Sequence, residues 1–312
     1  MHVNLIVVTG PTASGKTSFA AHLANSLKGE IISADSRQVY REMNIGTGKD
    51  LQDYLVNGRK IPCHLIDIKP PGYKYNVFEF QQDFIAAFEA LQKSNIMPIL
   101  AGGTGMYIES VLQGYKLVSV PINQALRDML VTKPMEELVA MLQNLHPDLH
   151  NSTDTQHKKR TIRAIEIATY YQENKINDKA LYFPELRPLI LGVKFDREAR
   201  RQRISERLKA RLAEGMIEEV EELLKKVPAE DLIFYGLEYK FVTLYLRNEI
   251  SYDEMYKGLE VAIHQFAKRQ MTWFRKMERE GTQIHWLEGA MPMDEKIVQA
   301  RMLLEQYNSQ NQ

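Results

Sequence analysis

A lysine and a threonine close the octapeptide Gly10-Pro11-Thr12-Ala13-Ser14-Gly15-Lys16-Thr17, and their distance from the two glycines is that of a phosphate-binding loop. In such a loop backbone N–H groups wrap two phosphates, the lysine reaches the outer phosphate, and the hydroxyl reaches a Mg²⁺. Glycine is needed where backbone passes close to oxygen, and the helix beginning near Lys16 points its positive end at the anion. Kinases, GTPases and other transferases share this loop, so it commits the chain to a phosphorylated ligand without naming a reaction.

Three further groups of residues are placed to do chemistry. Asp35, in Ser33-Ala34-Asp35-Ser36-Arg37-Gln38, follows a strand-like segment. An acid there holds Mg²⁺ through water, accepts a proton from a nucleophile, or caps the following turn. Thr104 lies in Gly102-Gly103-Thr104-Gly105, where paired glycines let backbone approach a ligand and the hydroxyl can bond to it, although such a turn also has a purely geometric use. Asp67, in His64-Leu65-Ile66-Asp67, resembles the acidic strand end that orients Mg²⁺ in nucleotide hydrolases, and a structural role is equally open. Cations cluster at Lys158-Lys159-Arg160 with Arg163, at Arg197 to Arg211, and at Lys268-Arg269 with Arg275-Lys276. Arg200, Arg203 and Arg207 recur at helical spacing and share a face that Arg211 continues. Each cluster reads either as a solvated face or as a phosphate-binding surface.

The elements that must position these residues alternate in the first third of the chain as a parallel α/β sheet requires. Strands are expected at 4–9, Glu30–Ser33, His64–Ile66 and Met97–Ala101, and helices at 16–27 and 77–93. From Pro121 to Leu186 the pattern becomes helices and polar turns, and Leu189–Val193 then resumes a core strand, so 121–186 reads as a helical insertion. Charged helices follow over 197–225, 252–279 and 293–306, and Asn308 to Gln312 has a tail-like composition.

The chain has 312 residues, 44% of them hydrophobic and 26% charged, enough for a large core in a globular protein. No apolar run approaches a membrane span and the N-terminus enters a strand at once, so cytoplasmic localisation and no membrane partner are expected. One cysteine, Cys63, excludes an internal disulfide and a multi-cysteine zinc site. Formal net charge is zero, so a polyanion must meet a local patch.

The ordered set GPTASGKT, SADSRQVY, CHLIDI, AGGTGMY, RTIRAIE, RISERLKARLAEGMIEEVEEL and AKRQMTWFR resembles the bacterial tRNA dimethylallyltransferases, the tRNA isopentenyltransferase or IPP transferase family, from Ile6 to about Arg275. The resemblance implies an α/β fold: a P-loop NTPase-like parallel sheet flanked by helices, with a helical insertion and a helical C-terminal part. On that basis 1–120 and 187–290 are the core, 121–186 is the insertion that binds tRNA, and 291–312 is a C-terminal helix and tail. The implied reaction transfers a dimethylallyl group from its diphosphate to N6 of the adenosine 3′ to the anticodon, position 37, in tRNAs reading codons that begin with U.

The implied roles divide the site. Asp35, Thr104, Arg207 and Lys16 are catalytic, with Asp35 accepting the amine proton. Residues Gly10, Pro11, Thr12, Ala13, Ser14, Gly15, Lys16 and Thr17 hold diphosphate together with Arg203. Asp35, Ser36, Arg37, Gln38, Thr104, Arg127, Lys159, Arg160, Thr161, Ile162 and Arg163 contact tRNA. Mg²⁺ sits near Thr17, with Asp67 through water. The partners are dimethylallyl diphosphate and a tRNA anticodon stem-loop, and a monomer is expected. A small-molecule kinase is the competing enzyme and would consume ATP; a tRNA-binding protein without turnover is the non-catalytic alternative. Departures from the family pattern fall at Glu238-Tyr239-Lys240, where many relatives have Gly-Tyr-Lys, at Ile263-His264, where Thr-Arg is common, and at Thr153-Asp154.

Overall fold

Every residue of Leu5–Thr9 is buried, and the run forms β1, a strand of a six-stranded sheet. Leu5 and Val7 belong to one apolar core, Ile6 and Val8 to another. Burial on both faces is why this strand reads as an unbroken apolar run rather than an alternation. The computed structural model describes residues 2–145, 157–176 and 181–310. The Thr153-Asp154 departure and the last two residues of the expected tail lie outside the described residues.

After β1 come α1 (Lys16–Leu27), β2 (Glu30–Ser33), an antiparallel hairpin of β3 (Leu55–Val56) and β4 (Arg59–Lys60), and β5 (Cys63–His64). They are followed by α2 (Val77–Lys93), β6 (Pro98–Gly102), α3 (Gly105–Leu112), α4 (Gln124–Val131), α5 (Met135–Leu145) and α6 (Lys158–Glu173). The chain continues through β7 (Pro188–Lys194), α7 (Arg197–Ala213), α8 (Met216–Leu224), α9 (Ala229–Tyr235) and α10 (Leu237–Leu246). It ends with α11 (Tyr252–Arg279), β8 (His285–Glu288) and α12 (Met293–Gln310). Two compact units result, residues 1–115 with 184–312, and residues 116–183.

In the first unit the strand order is β5-β2-β6-β1-β7-β8, with parallel pairing throughout. Winding changes direction at β1, so the carboxyl ends of β1, β2 and β6 flank the crevice where open parallel sheets collect ligands. One core packs α1 and α12 on the sheet through Phe19, Leu23 and Ala300. The other packs α2, α7, α10 and α11 through Phe80, Phe84, Leu208, Val242 and Phe274. In the second unit α4, α5 and α6 close around Leu130, Leu138, Leu142, Ile162 and Ile165.

The structure corrects four expectations. The strand expected over His64–Ile66 stops at His64, because Leu65 and Asp67 take left-handed conformations with φ 63° and 57°. The helix expected over 197–225 breaks at Gly215, whose φ of 100° suits a residue without a side chain. Strand β8 was not expected, and α12 runs on through Asn308 to Gln310 where a tail composition was read.

Candidate active site

A cavity of about 950 Å³ opens at the carboxyl ends of β1, β2 and β6. Thr12 to Thr17 line it, whereas Gly10 and Pro11 are buried behind them, and the Pro11 carbonyl lies 3.5 Å from Lys16 Nζ. Helix α1 starts at Lys16 with no side-chain cap and no acid in its first turn, so its positive end meets the cavity uncompensated. Ser14 Oγ is buried without a hydrogen-bond partner in the same loop, a donor suited to a phosphate oxygen. Burial pulls the Lys16 ammonium down to about 8; Asp35 opposes that shift, while Arg207 and Arg211 add to it.

Helix α7 supplies a column of guanidinium groups. Arg203 donates from Nε to the Ala13 carbonyl at 3.0 Å and lies 4.4 Å over the Phe195 ring. Arg207 donates from Nη2 to Asp50 Oδ2 at 2.9 Å. Arg211 Nη2 stands 3.6 Å from that oxygen and, though buried, has no hydrogen-bond partner. Burial first, and then Arg207, press the Arg211 pKa down. A buried cation repelled by a neighbouring cation in this way favours an incoming anion.

The second and third strand ends meet opposite. Asp35 Oδ1 accepts the Arg37 N–H at 2.9 Å, so one oxygen caps the turn while the residue lines the cavity. Thr104 Oγ1 accepts the Ser36 N–H at 3.2 Å, which ties the two loops together. Arg37 donates to the Phe234 carbonyl at 3.2 Å and Gln38 to the Gly48 carbonyl at 3.0 Å. Gln270, on α11, accepts the Thr12 N–H and donates to the Gly103 carbonyl, both at 2.8 Å, and so joins the phosphate-binding loop to the turn that carries Thr104.

Other expected residues lie elsewhere. Asp67 forms an ion pair with buried Lys49 and does not line the cavity. Arg127 and the segment Lys159 to Arg163 belong to the second unit. There Arg127 and Arg163 both bind the buried Glu166 carboxylate. Thr161 and Ile162 are themselves buried, whereas Lys159 and Arg160 are exposed. The cavity also holds groups to which the sequence assigned no role in the site: Asp50, Asp53, Arg211, Glu238 and Gln270. Arg211 was marked only by its place on the α7 face and Gln270 by its motif; nothing local marked the two aspartates. Burial raises the Asp53 and Glu238 carboxyls, Asp50 adding to the first and Arg211 and Arg207 opposing the second.

Residues 38–277 match the model of the IPP transferase family, and residues 1–67 match a model described as isopentenyl transferase. This chain belongs to the IPP transferase family. It is 57% identical to a tRNA dimethylallyltransferase 2 of Bacteroides fragilis, across 97% of this chain and 99% of that one. A protein of the same name from Phocaeicola vulgatus is 56% identical across 98% and 99%. Among solved structures, a full-length tRNA isopentenylpyrophosphate transferase from Bacillus halodurans superposes with a TM-score of 0.69 at 26% identity, covering 99% of both chains. A eukaryotic dimethylallyltransferase acting on tRNA shares the fold with a TM-score of 0.75 at 21% identity, across 92% of this chain and 74% of that one.

Against the IPP transferase pattern, two departures acquire a place. Glu238 enters the cavity at the start of α10, while Tyr239 is buried and donates to Glu219 Oε1 at 2.8 Å. Ile263 lines the cavity, but His264 turns into a separate groove with Asp196, Arg201 and Glu260. Burial and Arg201 lower the His264 pKa, so the imidazole adds no cation to the cavity at neutral pH.

Proposed function

We propose that this enzyme transfers the dimethylallyl group of dimethylallyl diphosphate to N6 of adenosine 37, beside the anticodon, in tRNAs that read codons beginning with U, yielding N6-dimethylallyladenosine and diphosphate. The observation that carries this reading is one cavity in which the phosphate-binding loop, the Arg203–Arg207–Arg211 face and the Asp35–Thr104 corner converge. The names of the relatives support it.

The loop here holds a diphosphate that leaves, rather than a phosphoryl group that moves. As the allylic C–O bond stretches, charge grows on diphosphate, where Lys16, Arg207 and Arg211 stabilise it. The adenine amine is weakly nucleophilic because its lone pair is delocalised into the ring. It must therefore be held against the allylic carbon. As the N6–C bond forms, the amine proton passes to Asp35. Reaching that amine requires the base to turn out of its stack.

Mg²⁺ fits as a companion of the diphosphate. Among the described residues no group of three His, Cys, Asp or Glu side chains is placed to hold a metal, while the Thr17 hydroxyl lines the cavity. Hard oxygen donors from Thr17 and the diphosphate suit this ion, which would supply positive charge to the leaving group. Lys159 and Arg160 are among the exposed cations of the described second unit, with Lys158 and Lys175, and are available to the RNA backbone. No described helix is long and apolar enough to cross a membrane. A cytoplasmic monomer completes the reading.

The test supplies protein, Mg²⁺, labelled dimethylallyl diphosphate and unmodified tRNA without ATP, then maps the label on digested nucleosides. Label on N6 of adenosine 37 is the expected result. Asp35→Asn should lower turnover by about 10²–10⁴-fold while diphosphate affinity stays near wild type. No label with wild-type protein, or turnover only with ATP, would replace the reading with phosphoryl transfer or binding alone.

A further inference from the structure

The arginine pair above the phosphate-binding loop is backed by residues 44–50, and an acid outside the cavity holds that segment. Glu219, on α8, accepts the N–H groups of Asn44 and Ile45 on Oε2 at 2.9 and 2.8 Å. Its Oε1 accepts the Gly46 N–H at 3.0 Å and the Tyr239 hydroxyl at 2.8 Å. One carboxylate thus satisfies three consecutive backbone donors, a task that needs two oxygens and a negative charge. The Tyr239 ring presses on the same turn: a Cβ at Gly46 would lie 2.7 Å from it.

The far end of the segment touches the cations. A Cβ on Gly48 would come within 1.8 Å of Arg211 Nη2 and 2.5 Å of Arg207 Nη2, so both guanidinium groups rest on its backbone. Asp50 then bonds Arg207 and faces Arg211. The segment has a second anchor in buried Lys49, which donates to the Tyr40 carbonyl at 2.7 Å and to Asn44 Oδ1 at 3.1 Å. With that anchor, loss of the Glu219 contacts displaces the loop rather than unfolding it.

We propose that Glu219 is a positioning residue: through the 44–50 segment and Asp50 it fixes the guanidinium groups of Arg207 and Arg211 where the leaving diphosphate sits. The inference rests on the reading of the cavity as a diphosphate site. Glu219→Gln keeps the shape of the side chain but leaves one acceptor oxygen, and its NH₂ faces the loop donors.

In steady-state prenyl transfer, E219Q should lose turnover by about tenfold to a hundredfold while KM for tRNA stays within about twofold. Its dissociation constant for inorganic diphosphate, by calorimetry, should rise by about fivefold. E219D, which keeps both oxygens, should recover part of each loss. In an Asp50→Asn background, adding E219Q should cost less than about twofold more, because both act through one contact. Wild-type turnover and diphosphate affinity in E219Q, or a full extra loss beside D50N, would overturn the proposal. Should E219Q fail to fold, Tyr239→Phe removes one of the four bonds and should give a smaller loss of the same kind; an unchanged Y239F would then count against it. If wild-type protein transfers no prenyl group the functional reading fails, yet the diphosphate titrations still decide the role of Glu219.

Discussion

Lys16 is held near pH 8 by burial and by the two arginines that share its cavity, with Asp35 pulling the other way. A bound diphosphate must raise that value, so above pH 8 binding takes up a proton and weakens by about tenfold per pH unit. Calorimetric titration of inorganic diphosphate from pH 7 to about 10 should show this fall, and Lys16→Met should flatten it; a flat wild-type profile would mean that Lys16 carries no part of the binding. In the ligand-free chain the sign is opposite: between about 8 and 10.5 the unfolded chain holds the Lys16 proton more tightly, so this group makes stability rise with pH. Gly48 gives a steric test of the same cluster. At φ +65°, with the Arg211 and Arg207 guanidinium groups lying where a Cβ would go, Gly48→Ala should displace both and weaken diphosphate binding by about tenfold or more. Retained affinity in G48A would show that the arginines do not bind the anion from this position. Lys16, Asp35 and Thr104 were legible because each sits in a local pattern that follows a strand. Asp50 was not, since its bond to Arg207 joins positions separated by 157 residues and leaves no local trace.

Element by element, legibility followed burial. Strands β1, β6 and β7 have runs of side chains buried on both faces, so their apolar character is continuous in sequence. Strand β8 has only Leu287 fully buried among His285, Trp286 and Glu288, and as an edge strand it offers neither a run nor a clean alternation. The break between α7 and α8 was missed because one glycine inside a helical pattern is tolerated as often as it stops a helix. What joins the elements at the site is the Gln270 side chain on α11, which spans Thr12 and Gly103. Gln270→Ala leaves the part-buried Thr12 N–H and the buried Gly103 carbonyl without this partner, at a cost of about 1–3 kcal/mol, and frees the phosphate-binding loop from the turn bearing Thr104. Turnover should therefore fall more than diphosphate affinity, with a measurable drop in thermal midpoint. An unchanged rate at lowered stability would confine Gln270 to holding the fold.

At the scale of the whole molecule, balanced charge leaves RNA attraction to local surfaces, and the second unit adds a buried acid to its apolar core. Glu166 is 2% exposed and receives Arg127, Arg163 and the Asn123 N–H. Burial alone would raise its pKa, but the bonds from both arginines and from that N–H outweigh it and hold the carboxyl below its usual range. The family resemblance implies that Arg127 and Arg163 contact RNA; their shared bond to a buried acid is a further role that charge pattern in the sequence does not reveal. A depressed pKa stabilises the unit above the unfolded value, and that contribution disappears as pH falls through the folded one. Glu166→Gln leaves two half-buried cations beside a neutral amide and should cost about 1–3 kcal/mol. Hydrogen exchange should then accelerate over 124–145 and 158–173, while β1 and β6 keep their protection. Because Lys159 and Arg160 ride on the same helix as Glu166, KM for tRNA should rise in this variant with diphosphate affinity unchanged. If exchange accelerates in the unit but KM for tRNA does not move, the helical unit has no part in holding the RNA.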